Sequence, residues 1–268
     1  MILQDIIHII ESVAPLSYQE TWDNSGLQVG DRNATVEAAL LAVDVTESIV
    51  SEAIAKHCDL IVSHHPLLFR GLKHLTGSTP QERCVERAIR EGIAIYSSHT
   101  TMDSFLHGVS GRMAEHIGIS EYRVLVPQAG QSEVGLGVIG NLPTPMPWAD
   151  LVRLVHSAFH AEHSGLRCVP PSKDEVRTIA LCGGAGAEFL ENAIAQGADV
   201  YISADFKYHE MQATAGRIGV IDIDHWASEQ FTRDIFAELL TPYIRVHISE
   251  SDHSPVLYYT GEQATDNQ

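Results

Sequence analysis

Three short stretches of the chain carry residues that could do chemistry together. DLIVSHHPLLFR (59–70) sets His64 and His65 directly after an apolar run and before a proline. SSHTTMD (97–103) and VIDIDHWASE (220–229) each close an apolar run with a histidine and place a carboxylate four residues on, pairing His99 with Asp103 and His225 with Glu229. Neutral imidazoles with carboxylates suit Zn, Fe, Mn or Ni, and six such groups exceed what one tetrahedral ion uses. Two divalent ions per subunit are therefore expected. The expected ligands are His64, His65, Asp103, His225 and Glu229, a carboxylate bridging, with His99 either a further ligand or a donor to one. Two such ions would lower the pKa of a shared water and polarise a carbonyl, imine or phosphoryl oxygen, which points to hydrolysis.

A lone histidine at a strand end is usually structural, and in a chain with 15 histidines several must be incidental. Two matched copies of a histidine–carboxylate spacing separate these four from His74, His107, His116, His156, His160 and His163, which have no comparable partner and read as solvent or packing residues. Lys207, Tyr208 and His209 form a second candidate group. Lys207 would give an acidic protein a positive charge for phosphate or carboxylate, and His209 could move a proton; these two and His99 are the candidate catalytic residues. The competing reading of 207–209 is a solvated helix start.

The elements that must position these groups are legible in the same stretches. Leu60–Ser63 reads as a buried strand, and Pro66, lacking an amide hydrogen and restricting His65, ends it. If the chain turns helical after His99 and His225, residues i and i+4 share a face and can reach one ion. The segments also repeat. AIAKHCDLIVS (53–63) resembles AIAQGADVYIS (193–203), GIAIYSSHTTMD (92–103) resembles IGVIDIDHWASE (218–229), and AALLAVD and VRTIALC lie upstream as apolar strands. EYRVLVP near 124 answers TPYIRVHIS near 246, and FRGLKHLTGSTP is an added loop in the first copy. Alternating strands and helices define an α/β fold of two duplicated units, 1–128 with the HHP and HxxxD groups and 129–268 with HxxxE. Ligands in open α/β sheets gather outside the carboxyl ends of strands, where all four histidines fall. Pro147 is placed to open a helix through Leu151 and Val155, and HSGLRCVPPSKDE (163–175) reads as a loop.

Two glycine-containing stretches carry weaker signals. In WDNSGLQVGD (22–31), Asp23 and Asn24 favour a turn and Gly26 and Gly30 permit close approach, which fits a plain loop or a cleft wall equally. GGAG (183–186) follows a strand but has neither dinucleotide nor Walker spacing, so a tight turn is the default over an anion site.

The 268 residues carry a net charge of -18, which opposes nucleic-acid or anionic-membrane binding. The four cysteines form no CxxC pair, and MILQDIIHIIESV reads as an amphipathic helix rather than a leader. A reduced, soluble, cytoplasmic protein without membrane spans is expected.

At these residues the chain resembles the Nif-three-like dinuclear-metal family, known as GTP cyclohydrolase type 2 homologues. The likeness rests on WDNSGLQVGD, DLIVSHHPLLF, SSHTTMD, FKYH and VIDIDHWASE, in the family's order. It implies intertwined α/β domains with mixed sheets, a two-metal site and a homohexameric ring, and it puts the ligands on His64, His65, Asp103, His225 and Glu229. The chain departs from the family pattern at SADFKYH, at Asp224 and Trp226 flanking His225, and at Ser25; no ligand is lost, but pocket shape is open to change. The function expected is a metal-dependent hydrolase of a small nucleotide-like or phosphorylated molecule. The alternative is a non-catalytic metal-binding scaffold or regulatory ring, with nucleic-acid association a third reading.

Overall fold

The computed structural model describes residues 1–161 and 164–258. It divides into two units, one of residues 1–112, 127–136 and 229–252, the other of 113–126, 137–228 and 253–268. His163 lies outside the described residues.

In the first unit the strands are β1 (Gly26–Val29), β2 (Ala38–Ala42), β3 (Leu60–Ser63), β4 (Ala94–Ser97) and, late in the chain, β11 (Arg245–Ile248), in spatial order β1-β4-β3-β2-β11. β4, β3, β2 and β11 run parallel and β1 antiparallel to β4, so the sheet is mixed. Every residue of β2, β3 and β4 is buried, as expected for strands covered on both faces. Ile6, Ile7 and Ile10 of the helix Leu3–Glu11 pack in one apolar cluster with Leu41, Val62 and Tyr96. Ile49 and Val50 of the helix Glu47–Ala55 join another with Leu40, Ile61 and Ile95. Those residues alternate along the strands, so the two clusters sit on opposite faces of the sheet.

The second unit holds most of a six-stranded sheet of β5 (Tyr122–Gln128), β6 (Gln131–Pro147), β7 (Arg167–Val169), β8 (Glu175–Ala185), β9 (Val200–Ala204) and β10 (Gly219–Ile223), in order β5-β6-β8-β9-β10-β7. β8, β9 and β10 are parallel, while β6 and β7 run antiparallel to β8 and β10. The repeat read in the sequence becomes a repeat of topology for its first stretches, with β2-β3-β4 matched by β8-β9-β10 and an antiparallel strand beside the last member of each. EYRVLVP and TPYIRVHIS, by contrast, take different places, β5 beside β6 and β11 beside β2. The repeat extends to single side chains. Asp59 Oδ2 accepts from the amides of Glu37 and Ala38 at 2.7 and 3.1 Å. Asp199 Oδ2 accepts from those of Arg177 and Thr178 at 2.9 and 3.0 Å.

Two local expectations are corrected. Part of HSGLRCVPPSKDE is strand β7, because Arg167, Cys168 and Val169 pair with Asp222, Ile221 and Val220 of β10. WDNSGLQVGD is only half loop, since Gly26–Val29 forms β1. Gly30 ends that strand at φ +123°, where an added Cβ would lie 2.7 Å from Ala94 Cβ, so only glycine lets β1 approach β4 this closely. Pro147 precedes the helix Trp148–Ala158, as its fixed φ suits a helix start. Among the described residues no helix is long and apolar enough to cross a membrane.

Candidate metal centre

Strand β3 delivers the two adjacent histidines by keeping its ladder to the end. The His64 amide donates to Ala42 O at 3.2 Å and the His65 amide to Val43 O at 2.8 Å, so both residues remain tied to the neighbouring strand before Pro66 ends it. Beneath them Ser63 Oγ and Ser97 Oγ are 2.8 Å apart, locking β3 to β4. The chain leaving β4 then turns into the helix Thr100–Ser104, with His99 at its cap position, and the His99 carbonyl accepts from Met102 N and Asp103 N at 2.8 and 3.1 Å. A second short helix, His225–Glu229, begins with one histidine and ends with a carboxylate. The helical turn expected after each histidine is therefore present in both copies.

In the first unit these elements gather His64, His65, His99, Asp103 and Glu229. A ligand atom of each of His64, His65 and His99 lies within 4.8 Å of the other two. His65 Nε2 stands 3.0 Å from Glu229 Oε2. His64 Nε2 is 3.6 Å from Glu229 Oε1 and 3.7 Å from Asp103 Oδ1. The buried His64 Nε2 and Asp103 Oδ1 have no hydrogen-bond partner among the described residues, although a buried polar atom normally finds one. Desolvated nitrogen and oxygen atoms that converge and are left unpartnered suit a bound cation.

The opposite ring nitrogens are all engaged. His64 Nδ1 faces the Ser98 carbonyl at 3.2 Å, His65 Nδ1 meets Asp44 Oδ1 at 2.9 Å, and His99 Nδ1 meets Asp23 Oδ1 at 2.8 Å. His225, in the second unit, meets Asp205 Oδ2 at 2.7 Å through the same atom. In a neutral imidazole an acceptor on Nδ1 fixes the proton there and leaves Nε2 with its lone pair, the arrangement seen around metal-binding histidines. Sequence reasoning missed Asp44 and Asp205 and read Asp23 only as a turn residue. Their signal was position alone, Asp44 and Asp205 lying just beyond strand ends.

Asp23 is held most firmly. Its Oδ2 accepts from Thr100 Oγ1 at 2.6 Å, Thr100 N at 3.1 Å and Ser25 Oγ at 2.9 Å. Burial opposes its charge, but bonds from His99 and Thr100 keep the carboxyl well below the usual range. Ser25 thus has a task, and its Oγ also accepts from the His99 amide at 3.0 Å. Burial raises Asp103, with His64 and His99 pulling the other way. Burial also opposes charge on His65, yet Glu229 and the bond to Asp44 lift it to about 11.

Asp224, the SADFKYH stretch and the 183–186 glycines have local roles. Asp224 starts the helix that carries His225 and Glu229, its Oδ1 accepting from Ala227 N at 3.1 Å and its Oδ2 from Ser254 Oγ at 3.1 Å. Asp205 holds a left-handed φ of 60°, strain that brings its carboxylate to His225. Lys207 and His209 are exposed, with partners on their own helix: Glu210 Oε1 at 3.7 Å from Lys207 Nζ and Gln212 Oε1 at 3.2 Å from His209 Nδ1. The glycines of 183–186 form a structural turn, with Gly184 N donating to Ser228 Oγ and Gly186 N to Ser203 Oγ, so neither amide is left for an anion.

Fold and site together define an α/β protein with a histidine and carboxylate cluster able to hold a metal. The chain belongs to the Duf34/NIF3 family (NGG1p interacting factor 3), whose description matches residues 1–255. A Clostridium perfringens protein named GTP cyclohydrolase 1 type 2 homolog is 34% identical over 230 residues, covering 85% of this chain and 87% of that protein. NIF3-like protein 1 of Drosophila melanogaster is 30% identical over 262 residues, 95% of this chain and 88% of the other. In fold the chain is also similar to a Bacillus cereus protein related to NIF3, with a TM-score of 0.86 at 23% identity over 97% of this chain and 99% of that one.

Proposed function

We propose that this protein is a metal-dependent hydrolase of a small nucleotide-like or phosphorylated molecule, working in the cytoplasm as a homohexameric ring with two divalent ions per subunit. The carrying observation is the buried His64 Nε2, which faces Asp103 and Glu229 at 3.7 and 3.6 Å and has no hydrogen-bond partner among the described residues. His64, His65, Asp103 and Glu229 would hold the ions together with His225, which shares a helix face with Glu229 one turn away. His99 is a further ligand or the proton-handling group beside them. Bound there, divalent ions would supply Lewis acidity and an activated water at neutral pH. Asp44, Asp23 and Asp205 accept at Nδ1 and so orient the rings with Nε2 turned away from them, and Asp103 and Glu229 would balance the charge of bound ions. Support for the substrate class comes from the relatives' name, GTP cyclohydrolase 1 type 2 homolog.

The test is metal content by mass spectrometry, then a screen of the reconstituted protein against nucleotides, phosphoesters and cyclic amides. Replacing His225 and Glu229 together by Ala is expected to remove at least one ion per chain while the protein stays folded. Unchanged stoichiometry would reject the ligand set. Full loading without turnover of any compound would favour a metal-binding scaffold over a hydrolase.

A further inference from the structure

Beside His99 the first unit exposes two large aromatic side chains with no role in the core. Trp22 is 57% and Phe69 42% exposed. Their ring centroids are 6.1 Å apart at an interplanar angle of 56°. Each also meets the His99 ring nearly edge-on, at 5.9 Å and 71° for Trp22 and 6.4 Å and 76° for Phe69. These are favourable aromatic geometries, so the three rings brace one another and leave outer ring faces open to solvent.

The two loops that carry this ledge are tied together. Asn24 Nδ2 donates to Leu68 O at 2.7 Å, and Gln28 Oε1 accepts from Leu68 N at 3.2 Å. Trp22 is further anchored by its neighbour Asp23, which bonds to His99. The ledge is therefore built before any ligand arrives, which lowers the ordering cost of binding.

We propose that Trp22 and Phe69 form a stacking ledge that binds the planar heteroaromatic ring of a nucleotide-like substrate against the His99 side of the metal centre. The inference rests on the metal-centre reading and gives it a substrate class. A second protein copy fits less well, because the exposed part of two side chains of 150–250 Å² each comes to roughly 200 Å², far below the roughly 800 Å² per partner of a stable interface. A single heteroaromatic ring is of matching size, and stacking tolerates any base because each presents a π face. Arg70, the residue after Phe69, is exposed and has no ion-pair partner among the described residues, a cation suited to the phosphate of such a molecule in a chain of net charge -18.

The test is calorimetric binding of AMP, GMP and UMP against ribose 5-phosphate, which shares the phosphate and lacks the ring. Metal-loaded and metal-free protein are both titrated, and metal content is assayed in parallel. At least one nucleotide is expected to bind at least tenfold more tightly than ribose 5-phosphate. In Trp22→Leu and in Phe69→Leu that margin is expected to fall to a third or less, and in Trp22→Phe to keep more than half. Both positions are solvent-facing, and circular dichroism checks that the variants fold. If no nucleotide reaches the tenfold margin, or if more than a third of it survives both Leu substitutions, the ledge is not a ring-binding site. Absent metal with an intact ring preference would sink the hydrolase reading and leave this one standing. Full metal loading without a ring preference would do the reverse.

Discussion

At the scale of single residues, the metal-type groups were legible and their supports were not. His64, His65, His99 and His225 stand out because each closes an apolar run, and Asp103 and Glu229 because they follow a histidine by one helical turn. Asp44 has no such mark. It reaches His65 because β2 and β3 are parallel neighbours, a contact 21 residues apart in sequence that no local spacing encodes. Its task can nonetheless be tested. Asp44→Ala removes the acceptor on His65 Nδ1 but leaves all proposed ligands in place, and its half-exposed side chain is not part of the core. Removing such a partner costs about 10–100-fold in metal affinity elsewhere. The same drop is expected here, measured by competition with a chromophoric chelator on a variant whose fold is checked by circular dichroism. Wild-type affinity in the variant would show that Asp44 does not orient the ring.

At the scale of elements, the strands and the helical turns were readable because their burial is continuous and their periods differ. The packing that seats them was not. The helix Thr100–Ser104 carries Asp103, and the chain leaving it doubles back at Gly108, whose amide donates to Phe105 O at 2.8 Å. A Cβ at Gly108 would lie 1.9 Å from Met102 O and 2.9 Å from Phe105 O, both backbone atoms that cannot turn aside. In the sequence this is one glycine among 20, in a stretch, LHGVS, without turn chemistry that singles it out. Gly108→Ala must push the short helix away from the sheet. A loss of about 1–3 kcal/mol is expected, the range for overpacking a filled site, together with weaker metal binding through displaced Asp103. Chemical denaturation measures the first and metal titration the second. A variant as stable as wild type would mean that the loop relaxes without moving the helix.

At the scale of the whole molecule, the α/β class and the internal repeat follow from the sequence, whereas the assignment of segments to units depends on long-range packing. Residues 229–252 return to the first unit, where β11 adds to the edge of β2. Local composition does not announce this, since TPYIRVHIS reads as a strand with no stated partner. What fastens the returning segment is a carboxylate far upstream. Glu52 accepts from Ser249 Oγ at 2.6 Å and from the amides of Glu250 and Ser251, both at 3.0 Å, and pairs with Lys56 at 2.8 Å. Burial opposes its charge, but the bonds from Lys56, Ser249 and the two amides win, lowering its pKa from 4.5 to about 2. A carboxyl depressed in the folded state binds its proton more tightly when unfolded. Its stabilisation is therefore complete above the unfolded value and is lost as the pH falls from about 4.5 toward 2. Allowing for solvent screening, the contribution is on the order of 1–3 kcal/mol. Glu52→Gln should accordingly lower the thermal midpoint at pH 7 and flatten its decline between pH 5 and pH 3, where the wild type still carries this dependence. Parallel melting curves with the same acid slope for both proteins would show that the returning segment is held by β11 pairing and its apolar contacts, and that the Glu52 charge adds nothing.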